Sequence, residues 1–194
     1  FPKQALTPMH LLALVGTNGI GRLGYRLPQA PAPSAAPVID CAALLATPYS
    51  ERAWNDLVAA HLSTGAGIAG VQPKIMLPTR ATVPIPTLIV KAASPAYPGL
   101  AANEFLCLDA ARRAGIEVPG FELSNDGQML LIDRFDIGEE GERIGFEDIA
   151  ALMGLRVRDV HSDRKYQGSY ESIARLLRVF GLPAQSLHRL FEQL

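Results

Sequence analysis

The sequence predicts an α+β fold with an antiparallel sheet, on three observations. Two β-branched runs, VQPKIML and TLIVK, follow a glycine loop and are separated by a turn rich in Thr and Pro. A second pair of apolar runs flanks Asn125-Asp126-Gly127, and an Asp-Gly pair between such runs is a strong hairpin signal. Most of the remaining chain carries the apolar spacing of helices.

Taken in order, Thr7 and Pro8 cap and open a short helix, TPMHLLALV, which the glycines of GTNGIG stop. A strand, GRLGYRL, is expected next. From 28 to 37 the stretch PQAPAPSAAP has proline at 28, 31, 33 and 37 among small residues, a composition that connects rather than packs. Two helices broken at Pro48 follow between Ile39 and Leu62, the second capped by Ser50. After the two strands comes the helix of LAANEFLCLDAARRAG. Leu100, Phe105, Leu106, Leu108 and Ala111 are expected near one face, with Arg112, Arg113 and Gly115 closing it. IEVPGFELSNDGQMLLIDRFD then reads strand, turn, strand. A polar connector leads to FEDIAALMG, a charged loop, SYESIARLLRVFG and PAQSLHRLFEQL, read as helix, loop, helix, helix.

The chain has 194 residues, 48% apolar and 19% charged, which suits one large or two small domains. With 18 Lys+Arg against 19 Asp+Glu the net charge is −1, so bulk charge argues for neither a nucleic-acid nor an anionic-membrane partner. No apolar run approaches the ~18–20 residues that span a bilayer, and the first ten residues do not read as a secretory signal. A soluble, cytoplasmic protein is expected. Cys41 and Cys107 fit no metal-ligand spacing. The first residue is Phe, which suggests a sequence that begins inside a longer protein.

Gly65, Gly67 and Gly70 form GxGxxG, a weak signal alone. A dinucleotide fingerprint needs a strand before and a helix after, with an acid about 20 residues on. Here a helix precedes, a strand follows, and Lys91 stands near the acid's place. A loop of the protein-kinase kind sits between strands and is followed by a strand bearing a lysine; an ordinary turn is the alternative. Lys91 follows Leu88, Ile89 and Val90, so its ammonium would emerge beside buried residues and call for a counter-charge. Glu104 in the next helix can supply it. The other reading is a lysine reaching to water beside a solvated Glu104.

These residues resemble a known family. GVQPK at Gly70 to Lys74, LIVK ending at Lys91, ANEFLCLDAARRAGIEVP at Ala102 to Pro119, LLIDRFD at Leu130 to Asp136 and the pair Lys165-Tyr166 are similar, in order, to HipA-type serine/threonine kinases. Those kinases are the toxin halves of bacterial toxin-antitoxin pairs. The start, HLLALVGTNGIGRLGY, is similar to the end of that family's small N-terminal subdomain.

The resemblance implies a kinase-like N-lobe, preceded by the end of that subdomain and followed by the first helices of a helical C-lobe. Its boundaries are 1–27, a linker 28–38, an N-lobe 39–136 and a C-lobe start 137–194. It implies an ATP site in which Ala69, Gly70, Val71, Gln72, Pro73 and Lys74 form the phosphate loop and Lys91 holds the phosphates. Asp133, Arg134 and Phe135 would form the hinge that meets adenine through backbone groups, with Asp133 where the family more often has Glu. A core aromatic is the plainer reading of Phe135. Implied too are ATP with Mg2+, a protein substrate of the aminoacyl-tRNA synthetase class, and a HipB-like helix-turn-helix antitoxin as partner, with DNA met only through it.

Two departures stand out. The family's regulatory loop serine falls at Gly67, leaving Ser63 or Thr64 as substitutes. The catalytic-loop pattern N-x-D-x-H-x-x-N is absent from these 194 residues, so the expectation is an N-terminal fragment without catalytic residues or metal ligands. His161-Ser162-Asp163 imitates H-x-D, but Gly168 stands where asparagine should be. The alternatives are an inert module that binds nucleotide or antitoxin, and a structural fragment exposing apolar helix faces.

Overall fold

Four short strands pair antiparallel in the order β1-β2-β4-β3: β1 (Lys74–Leu77), β2 (Leu88–Ala92), β3 (Phe121–Leu123) and β4 (Met129–Asp133). The computed structural model describes residues 7–29, 38–64, 73–80, 85–155 and 167–194. Residues 1–108 with 119–146 form one unit, and 109–118 with 147–194 a second. With its helices, this is the α+β fold expected, and both anticipated strand pairs form.

In the first unit, α1 (Pro8–Val15) starts where Thr7 Oγ1 accepts the His10 N–H at 3.3 Å. It stops at Gly16, where a Cβ would lie 2.4 Å from the Leu12 carbonyl oxygen. The strand expected at GRLGYRL does not form. Residues 21–27 are irregular, with Leu23 and Leu27 68% and 57% exposed. A strand needs a ladder partner, and among the described residues none lies beside this one.

Asp40 caps α2 (Cys41–Ala46), and Ser50 Oγ caps α3 (Glu51–Ser63) by accepting the Ala53 N–H at 3.1 Å. The break falls at Pro48 as expected. These helices cover one face of the sheet, where Leu44 joins Ile75, Leu77, Leu88, Val90, Ala92, Met129 and Leu131 in the core, with Trp54, Leu57 and Val58 packed against it. Each buried aliphatic side chain is worth ~1.5–3 kcal/mol.

By strand alternation Met76, Ile89, Lys91, Leu130 and Ile132 point to the other face. α4 (Leu100–Arg113) lies there, with Ala101 fully buried and the Phe105 ring edge-on to Phe121 at 5.4 Å. Because both faces are covered, Met129 to Ile132 are all buried and β4 shows no polar alternation. Leu106 does not share the inner face. It is 64% exposed, because residues advance about 100° around a helix and it falls opposite Ala101 and Leu108.

The β3–β4 hairpin turns at Gly127, φ +72°. Asp126 staples the turn, accepting from Gln128 N–H at 3.1 Å, Ser124 Oγ at 2.7 Å and Tyr49 N–H at 2.6 Å. Burial works to raise its pKa, and these donors overcome that and hold it below the ordinary value.

In the second unit, Asp148 caps α5 (Ile149–Leu152) and Ser169 caps α6 (Tyr170–Val179). α7 (Ala184–Glu192) packs against α6. Glu117, after α4, pairs with Arg189 at 3.5 Å. Cys41 and Cys107 are free thiols, both on helices. No helix among the described residues is long and apolar enough to cross a membrane.

Candidate functional site

β2 leaves Lys91 on the α4 face because Leu88, Val90 and Ala92 occupy the other. Ala101 seats the first turn of α4 against the sheet. Glu104, one turn further on the same helix face, reaches Lys91 Nζ with Oε1 and forms an ion pair. The two side chains are 18% and 28% exposed. Of the two readings of Lys91, the structure takes the paired one.

Lys74 stands directly across from Lys91 in the β1–β2 register. Cross-strand partners share a face, so Lys74 and Lys91 both extend from the side on which Glu104 lies. This donor set fits a polyanion such as a triphosphate. Pro73, just before β1, accepts the Ala92 N–H at 3.0 Å and closes that end of the strand pair. Ala69, Gly70, Val71 and Gln72, with Gly65 and Gly67, lie outside the described residues, as do His161, Ser162, Asp163, Lys165 and Tyr166.

At the end of β4 the burial pattern runs against side-chain polarity. Asp133 is exposed, Arg134 buried, Phe135 59% exposed and Asp136 buried. Phe135 is therefore not a core aromatic; its ring meets that of Phe146, with centroids 5.8 Å apart. The Asp133 and Arg134 N–H groups donate to Gly120 O at 2.8 Å and Thr87 O at 2.9 Å. Among the described residues the Phe135 N–H has no acceptor.

Sequence reasoning missed what Arg134 and Asp136 do with their side chains. Arg134 Nε and Nη2 bind Asp136 Oδ1 and Oδ2 at 3.0 and 2.7 Å, with both side chains essentially inaccessible. Arg134 also donates to Pro86 O and Gly19 O, each at 3.0 Å, and Asp136 Oδ2 accepts the Gly21 N–H at 2.7 Å. Burial pushes the Asp136 pKa up, but the Arg134 and Gly21 donors overcome it and hold it below the ordinary carboxylate value. Arg143 stands close by, its pKa lowered by burial and by the Arg134 charge. The only sequence signal was the spacing Arg-x-Asp, which reads equally well as surface charge.

Thr64 is closed as a substitute for the missing loop serine. It is 4% exposed and its hydroxyl donates to His61 O at 2.7 Å.

A profile of the HipA-like C-terminal domain matches residues 66–194. A protein of Sinorhizobium fredii (strain NBRC 101917 / NGR234) named "Putative kinase Y4dM" is 35% identical over 106 residues, covering 47% of this chain and 24% of that protein. The chain thus matches about a quarter of that relative's length.

Proposed function

Since the chain belongs to the HipA-like C-terminal domain family, we propose that it forms the ATP-binding part of a serine/threonine protein kinase, folded as a kinase-like N-lobe. The observation that carries this reading is the Lys91–Glu104 ion pair with Lys74 in register beside it. Kinases use such a strand-lysine and helix-glutamate pair to hold the α and β phosphates of ATP. The HipA-family relation and the kinase-named relative support it further.

In this reading Ala69 to Lys74 cradle the phosphates and Lys91 neutralises their charge. Glu104 holds the ammonium in place. The Phe135 N–H, with the backbone of Asp133 and Arg134, meets the adenine edge, while Phe135 and Phe146 offer apolar surface beside it. The Arg134 side chain touches no base, because it is spent on Asp136. Mg2+ would enter with ATP and shield its phosphates; among the described residues no three His, Cys, Asp or Glu side chains converge to ligate it. The transfer step is proposed for a polypeptide that also supplies the base aspartate and the metal ligands. The target class proposed is an aminoacyl-tRNA synthetase in the cytoplasm, and the partner a HipB-like helix-turn-helix antitoxin through which alone DNA is met.

The test is transfer of labelled γ-phosphate to serine or threonine by the protein in its complete reading frame. Label that disappears in Lys91→Ala, with the fold retained, is the expected result. Binding of ATP without transfer would favour an inert nucleotide- or antitoxin-binding module.

A further inference from the structure

A buried polar chain runs from Arg143 to the edge of the sheet. Asn18 is 7% exposed. Its Oδ1 accepts from Arg143 Nη2 at 2.8 Å and its Nδ2 donates to the Thr64 carbonyl at 2.7 Å. Thr64 donates twice to the His61 carbonyl, from its N–H at 3.0 Å and its hydroxyl at 2.7 Å. His61, 8% exposed, places Nδ1 3.1 Å from both the N and the O of Met76. Burial lowers the His61 pKa, which favours the neutral ring whose Nδ1 accepts the Met76 N–H. Met76 lies two residues beyond Lys74.

Among the described residues β1 is an edge strand with β2 on one side only. At Met76 its outward backbone groups meet an imidazole where a further strand would otherwise sit. Lys74 and Lys91 face each other across β1 and β2, so the placement of the edge strand sets where Lys74 stands relative to Lys91. The His61 clamp fixes that placement at Met76. Asn18 backs the clamp, because an amide supplies both the acceptor for Arg143 and the donor for Thr64. Its own turn is fixed independently by the contacts of Gly19 and Gly21 with Arg134 and Asp136.

We propose that Asn18 is a positioning residue for the phosphate end of the site: acting through Thr64 and His61, it holds β1 so that Lys74 stands opposite Lys91. The inference rests on the nucleotide reading above and extends it to a residue that touches no nucleotide.

The test compares ATP with adenosine, which has the base and no phosphates, as ligands of the protein in its complete reading frame. Asn18→Ala should weaken ATP about fivefold, ~1 kcal/mol at 1.4 kcal/mol per decade, and leave adenosine unchanged. Asn18→Asp keeps the acceptor for Arg143 and loses the donor to Thr64. It should show the same selective loss with a melting temperature nearer wild type. In a Lys74→Ala background Asn18→Ala should add nothing, since a shared route makes the two effects non-additive. Equal losses of ATP and adenosine, an unchanged ATP affinity, or full additivity with Lys74→Ala would each overturn the relay. Wild-type protein that binds neither ligand would instead overturn the nucleotide reading on which it stands.

Discussion

Arg134 and Asp136, two residues apart at the end of β4, form a two-pronged ion pair from which water is excluded, while Phe135 between them faces outward. The pair also collects the backbone of Gly19, Gly21 and Pro86, so it ties the N-terminal turn to the sheet beside the proposed hinge. Removing one partner leaves a buried charge unanswered, which costs about 3–5 kcal/mol. Arg134→Met should therefore lower the urea midpoint strongly. The double variant Arg134→Met/Asp136→Leu should lose less, because it buries no orphan charge. Equal losses in both would mean that packing, and not charge, holds this node.

Acid should weaken the first unit in two stages. Burial lowers the His61 pKa in the folded state, so below the unfolded value of about 6.5 the unfolded chain takes up the proton first and stability falls. Asp136 and Asp126 have folded pKa values below their ordinary ones. Their contribution is present above the unfolded value of about 3.9 and is lost as pH falls through the lower folded values. Urea titrations from pH 8 to pH 3 check this; His61→Gln should remove the upper stage and leave the lower one.

Glu104→Gln keeps the shape at Lys91 and removes the charge. The pair is only partly buried, so the melting temperature should move by less than ~1 kcal/mol of stability. ATP affinity or phosphoryl transfer should fall on the order of tenfold, as a misplaced lysine no longer meets the phosphates. A large loss of stability with unchanged ATP handling would assign the pair a structural role only.

Phosphate should not appear on Thr64 after incubation with Mg-ATP, because its hydroxyl is buried and committed to His61. Phosphopeptide mapping reads this directly. Label on Thr64 would require the end of α3 to come apart, and with it the contact to Asn18.

The strands and most helices were legible because apolar spacing, caps and the Asn-Asp-Gly turn are local signals: Ser50, Gly115 and Gly127 each act where the sequence places them. The Lys91–Glu104 pair was legible as well, since a lysine at the end of an apolar strand asks for a carboxylate. Two errors share one cause. Leu106 and the run GRLGYRL look buried by polarity, but the helix angle in one case and the missing ladder partner in the other leave them exposed. The node at Arg134 and Asp136 inverts the usual rule, with charges inside and Phe135 outside, and its partners are distant in sequence: Gly19 and Gly21 lie 115 residues away and Pro86 48. Asn18 and His61 were illegible for the same reason: their roles depend on contacts with Thr64, Arg143 and Met76 that no local pattern announces.

The most direct test of the account is calorimetric titration of Mg-ATP into the protein in its complete reading frame, with wild type and Lys91→Met side by side. Wild type should show saturable one-site binding, and a folded Lys91→Met protein a site at least tenfold weaker, ~1.4 kcal/mol. No saturable binding by wild type, or equal affinity in the two, would contradict it.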